Sequence, residues 1–269
     1  MSDNLESESA AKGKFRPFAE LIVSLKFLTR LPIPFARTID APPLAQAMRM
    51  FGVAGAFIGC FNAAVLVGLR YLHFPDLTAA TLTCVAGLMI TGALHEDGLA
   101  DTVDGLFGGQ TAERRLEIMK DSRIGTYGAC ALILAMLLRI EAYLVFLKLS
   151  PLPIFLLLAA AGAFSRAMVV DLMWATRPAK STGLSVLAGR PTRGSTLFAI
   201  IPSAILVLYA GLFLRNDSGL FALAAALALT AIMRQTAMRL IGGQTGDICG
   251  ATQVLAELAA LTAFAATIS

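Results

Sequence analysis

FGVAGAFIGCFNAAVLVGLRYL, residues 51–72, decides the fold. Its only charged side chain is Arg70, close to the end. A helix of roughly 20 apolar residues crosses the hydrocarbon core of a bilayer, and this run has that length. Six further runs qualify in the same way: 77–94, 126–147, 152–172, 196–214, 219–236 and 251–268. Ahead of them, PFAELIVSLKFLTRLPIPF at 17–35 is apolar but holds Glu20, Lys26 and Arg30 and closes on Pro32 and Pro34. That pattern suits an interfacial or re-entrant segment rather than a crossing. The expected fold is an all-α polytopic membrane protein with about seven transmembrane helices plus this N-terminal segment. Gly55 and Gly59 form a small-xxx-small pair, which predicts close packing of the first span on another helix.

Composition agrees. Of 269 residues 57% are hydrophobic and only 15% charged, whereas a soluble domain carries about a quarter charged residues. Residues 1–14 are polar, with Asp3, Glu6 and Glu8 and no apolar h-region; they are expected to be a disordered tail, not a signal peptide. The remainder, 15–269, shows no linker or repeat and is expected to be a single integral membrane catalytic domain. Cys60, Cys84, Cys130 and Cys249 lie far apart with no CxxC pair, so they are expected to be small apolar fillers. With His73 and His95 as the only histidines, a His-built zinc site is not expected.

The formal net charge is +4, and its distribution places the loops. With an N-terminus in the cytoplasm and seven crossings, most Lys and Arg fall on the cytoplasmic side. They cluster before residue 50 and in the stretches 95–125, 173–195 and 234–250, leaving Arg70, Lys148 and Arg215 opposite. The positive-inside bias favours this orientation, so the excess charge needs no nucleic acid to explain it. The three longest connections then share one face. Arg139 and Arg166 lie inside spans, where each needs a partner, Glu141 or an acid on a neighbouring helix, or else forms part of a substrate cavity.

The chemistry concentrates in HEDGLADTVDGLFGGQTAERRLEIMKDSRIGTYG, residues 95–128, expected to be a loop. Asp97, Asp101 and Asp104 stand at i, i+4 and i+7, so on a helix they would share one face. Carboxylates packed this closely call for a cation, and an all-oxygen cluster suits Mg²⁺ or Mn²⁺. The glycines here, 98, 105, 108 and 109, would allow a ligand close to the backbone. Glu117 and Asp121 interleave with Lys120 and Arg123, either a salt-bridged surface or a metal-and-phosphate site. The stretch MWATRPAKSTGLSVLAGRPTRGS at 173–195 carries Arg177, Lys180, Arg190 and Arg193 without an acid, as an anion-binding loop would. Finally GGQTGD at 242–247 sets Asp247 in a glycine-rich turn before the last span, as a metal partner or a helix cap.

Asp101-x-x-Asp104-Gly105 matches the opening of the CDP-alcohol phosphotransferase pattern D-x-x-D-G-x-x-A-R, but Gly108 and Gly109 stand where Ala-Arg belongs. A closer likeness covers the chain from near residue 20 to about 257. FLTRLPIP at 27–34, HEDGLADTVDGLFGG at 95–109, RLEIMKDSRIGTYG at 115–128, SR at 165–166, GL at 183–184 and GGQTGDICGA at 242–251 closely resemble the cobalamin synthase family, the adenosylcobinamide-GDP ribazoletransferases. That resemblance implies an Mg²⁺-dependent transferase in the bacterial inner membrane. It would join adenosylcobinamide-GDP to α-ribazole or its 5′-phosphate and release GMP. On this basis Asp97, Asp101, Asp104 and Asp247 are expected to hold Mg²⁺, and Asp104 or Asp121 to take the proton of the attacking hydroxyl. Glu96, Lys120, Arg123, Arg166, Arg177, Lys180, Thr245 and Gly246 are expected to bind substrate. The bilayer is the expected surrounding, and a second copy or other cobamide-assembly enzymes are the expected partners. The competing readings are a CDP-alcohol transferase of lipid synthesis and a divalent-ion transporter.

Overall fold

The computed structural model describes residues 15–34, 41–214 and 217–268; the tail expected at 1–14 lies outside the described residues. The elements are helices throughout: α1 Pro17–Leu28, α2 Leu44–Tyr71, α3 Asp76–Thr91, α4 Leu94–Gly108, α5 Ala112–Ile118, α6 Thr126–Phe146, α7 Pro151–Ala175, α8 Leu184–Ala188, α9 Arg193–Phe213, α10 Ser218–Ile241 and α11 Gly246–Ala265. Six of them (α2, α6, α7, α9, α10 and α11) are long and apolar enough to cross a membrane. The sixteen-residue α3 is too short alone and reaches that measure only together with α4, so the helices give six spans, or seven with that bent pair counted. The expected set of about seven spans agrees with this, with boundaries that differ by a few residues.

Burial sorts the bundle into inner and outer helices. The most apolar window of α7 is 89% buried and that of α11 78%, against 22–33% for α6, α9 and α10. The outer helices turn large apolar side chains such as Leu134, Leu212 and Phe221 outward, which only a hydrocarbon surround makes inexpensive. Against α7 lies α2. A Cβ at Gly55 or Gly59 would collide with the α7 backbone at Gly162 and Leu158, so the small-xxx-small pair does mark a close helix contact. On the opposite side of the bundle from α4, the Arg70 guanidinium donates to the carbonyl of Leu147 at 2.9 Å and closes off the end of α6.

The stretch beginning at 95 is not a loop. Gly92 and Ala93 both take left-handed φ values, 65° and 53°. They end α3 and restart the chain as α4 at 91° to it. For Ala93 that conformation costs about 1 kcal/mol, so surrounding packing must hold it. The bend lays α4 across the mouth of the bundle instead of continuing the crossing. Three glycines of this stretch serve helix packing. A Cβ on Gly98 would strike Asp247 and Gly250 of α11, and one on Gly105 or Gly109 would strike the segment Arg115–Met119. Gly98 also lines the cavity described below.

Candidate active site

The first turn of α4, the start of α11 and the loop after α7 meet at one end of the bundle. Gly98 packs on the backbone of Asp247. Gln244 and the 177–179 segment exchange two backbone hydrogen bonds of 2.8 Å, Gln244 N–H to Arg177 O and Ala179 N–H to Gln244 O. The stretches expected to share a face therefore share a wall. Between them lies a cavity of about 270 Å³ lined by Asp97, Lys180, Thr182, Ser185, Thr245, Gly246 and Asp247, with apolar side chains below.

Asp97 is exposed and faces this cavity, and Asp101 follows one turn along α4. Burial first, then the charges of Asp97, Asp247 and Asp104, push the Asp101 carboxyl up to about 7. That rise reflects burial first and, after it, like charges without sufficient cation between them. Lys180 supplies part of it: it lines the cavity and its charge acts on Asp247. Desolvation outweighs that attraction and, with Lys120 nearby, holds the Lys180 ammonium below its ordinary value. Asp247 is not the cap of α11. Thr245 is: its hydroxyl oxygen accepts from Ile248 N–H at 3.3 Å and the same hydroxyl donates to the Asp247 carboxylate at 3.2 Å.

Asp104 lies outside the cavity lining. One carboxylate oxygen accepts from Gly125 N–H at 2.7 Å and the other from Gly128 N–H at 2.9 Å. It caps the first turn of α6 from a neighbouring helix, and a Cβ on either glycine would collide with it. Asp104→Asn, which turns one acceptor into a donor, is therefore expected to lower stability by about 1–3 kcal/mol, read as a lower thermal midpoint. An unchanged midpoint would show that the cap contributes nothing.

The 111–123 segment forms a salt-bridged surface outside the cavity lining. Arg114 pairs with Glu117 at 2.6 Å and Arg123 with Asp121 at 2.6 Å, all substantially exposed. The Arg123 hydrogen bonds hold the Asp121 carboxyl down to about 2, which leaves it a feeble base. Arg177 donates to the Gly242 carbonyl at 3.0 Å. Arg166 and Glu96 are buried below the cavity. Arg139 bridges Glu96 at 3.0 Å and Glu257 at 3.3 Å, and Arg166 reaches Glu257 at 3.6 Å. Arg139 thus takes acids from neighbouring helices, not Glu141. Glu257 is the network member the sequence did not single out, because its charged partners lie on two other helices, α6 and α7.

Among the described residues, no three His, Cys, Asp or Glu side chains converge tightly enough to enclose a metal alone. Mg²⁺ does not require that, since one or two carboxylates with substrate phosphates and water complete its shell. Asp97, Asp101 and Asp247 fit such a role as hard oxygen donors with unrelieved repulsion. Asp104 gives one lone pair of each oxygen to an amide and lies outside the cavity lining.

A bundle of six or seven candidate crossings with an acidic and hydroxyl-lined cavity at one end defines a polytopic membrane protein with a site suited to a polar ligand. The chain matches the family described as cobalamin-5-phosphate synthase over residues 20–265, and it belongs to that family. It is 42% identical over 253 residues to the adenosylcobinamide-GDP ribazoletransferase of Azorhizobium caulinodans, covering 91% of this chain and 95% of that one. It is 43% identical to the enzymes of the same name from a Sinorhizobium species (91% and 95% covered) and from Xanthobacter autotrophicus (89% and 92% covered). No solved structure matches the chain.

Proposed function

We propose that this chain joins adenosylcobinamide-GDP to α-ribazole or its 5′-phosphate, releasing GMP and forming the phosphodiester of adenosylcobalamin or its phosphate. The observation that carries this reading is the convergence of Asp97, Asp247 and Lys180 on one cavity, in a chain this similar to ribazoletransferases. Asp97, Asp101 and Asp247 would hold Mg²⁺, which when bound supplies charge neutralisation on a pyrophosphate. Lys180 and the helix start at Gly246 orient the phosphates. The attacking hydroxyl releases its proton into this carboxylate group, since Asp104 is tied to two amides and Asp121 to Arg123.

Purified protein in liposomes, given the corrinoid substrate, Mg²⁺ and α-ribazole, should release GMP only when all three are present. GMP release without the acceptor, or ion flux across the vesicle, would overturn the reading. The cavity end is proposed to face the cytoplasm of the bacterial inner membrane, from the Lys/Arg bias. In a variant lacking the exposed Cys130, a cysteine at Ser181 should resist an impermeant thiol reagent in intact cells, and one at Asp217 should react. The opposite pattern inverts the topology.

A further inference from the structure

Below the Asp97 cavity the bundle encloses a second, much smaller space of about 10 Å³. Six helices meet around it. Asn62 comes from α2, Gly87 from α3, Glu96 from α4, Arg139 from α6, Arg166 from α7 and Glu257 from α11. A volume of that order holds one water. Three of these side chains each carry a polar atom that is shut off from solvent and has no protein partner: Asn62 Oδ1, Glu96 Oε2 and Arg166 Nε. The three residues are 6%, 8% and 3% exposed. Gly87 keeps the space open, since a Cβ there would crowd Asn62 Oδ1 at 3.1 Å.

We propose that this chamber binds a single water molecule, and that the water and Arg139 together make Glu96 a positioning residue for Asp97. Two acceptors and one donor are the complement of a water, which donates twice and accepts. The water gives its hydrogens to Asn62 Oδ1 and Glu96 Oε2 and accepts from Arg166 Nε–H; about three bonds are typical of a buried water. A cation in the same place would face the Arg166 guanidinium, and an anion the Glu96 carboxylate. The two acids and two arginines around the chamber already balance in charge, so the ligand it selects is neutral. Without that ligand each of the three groups would be desolvated and uncompensated. With it, both Glu96 oxygens are held, Oε1 by Arg139 at 3.0 Å and Oε2 by the water. Glu96 stands in the first turn of α4, just after the left-handed pair Gly92 and Ala93. Pinning it fixes the bend, and the next residue along the chain is Asp97, at the cavity. The positioning half rests on the Mg²⁺ reading above, whereas the water half stands without it.

X-ray radiolysis of the purified wild-type protein tests the water without turnover, because hydroxyl radicals born at a bound water label the side chains beside it. Tyr143 and Cys84 line the chamber at 1% and 5% exposure and should be labelled. Met168, at 0% exposure and outside the chamber lining, should stay unmodified. Unlabelled Tyr143 and Cys84 would overturn the water site. The positioning is read from Asn62→Val, which takes away one of the water's partners. Labelling at Tyr143 should fall, and the Mg²⁺ concentration giving half of the thermal shift should rise about 10-fold, the equivalent of one lost hydrogen bond. Asn62→Thr, which keeps an acceptor oxygen, should restore most of that response. If Asn62→Val fails to fold, Gly87→Ala, which narrows the chamber, should move the Mg²⁺ response in the same direction. A role in stability alone would lower the metal-free midpoint and leave the Mg²⁺ response unchanged, and that result would overturn the positioning. Labelling without any Mg²⁺ shift in the wild type would sink the metal reading and the positioning with it, and keep the water. Both signals in a protein that never releases GMP would sink the transferase reading and keep the site.

Discussion

Asp97→Asn is expected to lower kcat by about 10²–10³-fold while leaving the thermal midpoint of the metal-free protein unchanged. Among the described residues no hydrogen bond or ion pair engages the Asp97 side chain, so its charge serves nothing in the fold. It faces the cavity together with Asp247. Losing one charged contact that stabilises a developing phosphate charge costs that much in comparable sites. Asp247→Asn should cost on the order of 10²-fold, and the double variant little more than the worse single one, because groups that hold one ion act as a unit. A second readout needs no turnover: millimolar Mg²⁺ should raise the midpoint of the wild type by linkage and not that of Asp97→Asn. Near-normal turnover with the Mg²⁺ response intact would remove Asp97 from the site.

The contrast between Asp97 and Asp104 shows how far the sequence could be read. Their spacing placed both on one helical face, and that geometry is present. The hydropathy of the crossings was legible because each carries its own signal of about 20 apolar residues. The helix bearing the acids carries no such signal. HEDGLADTVDGLFGG is rich in acids and glycine, which propensity assigns to a loop, and its helicity comes from partners distant in sequence: Gly250 against Gly98, and the amides of Gly125 and Gly128 on Asp104. Only the fold could tell which of three like carboxylates faces solvent and which faces a helix end. The same holds for Arg166 and Glu96. Sequence showed that an intramembrane arginine needs a partner, and the chain supplies it from Glu257 on another helix.

That partner carries the largest stability effect expected. Glu257 lies in the middle of α11 at 8% exposure, paired with Arg139 and Arg166 and accepting a hydrogen bond of 2.9 Å from Gln253. Together with Glu96, two acids balance two arginines in a region closed to water. Glu257→Gln keeps the shape and removes one negative charge, so a guanidinium is left uncompensated. The expected loss is about 3–5 kcal/mol, seen as a large fall in thermal midpoint and faster tryptic cleavage in detergent. Removing a matched pair should hurt less. Glu257→Leu combined with Arg166→Met deletes one charge of each sign, and well-packed apolar replacements of buried ion pairs are often neutral or better. The double variant should therefore be more stable than Glu257→Gln alone. A Glu257→Gln protein as stable as the wild type would mean that water reaches these charges and that the network does not hold the bundle. Glu96 links this network to α4, one residue before Asp97. At temperatures where the double variant stays folded, Arg139 still joins Glu96 to the bundle, and the cavity acids should keep their place.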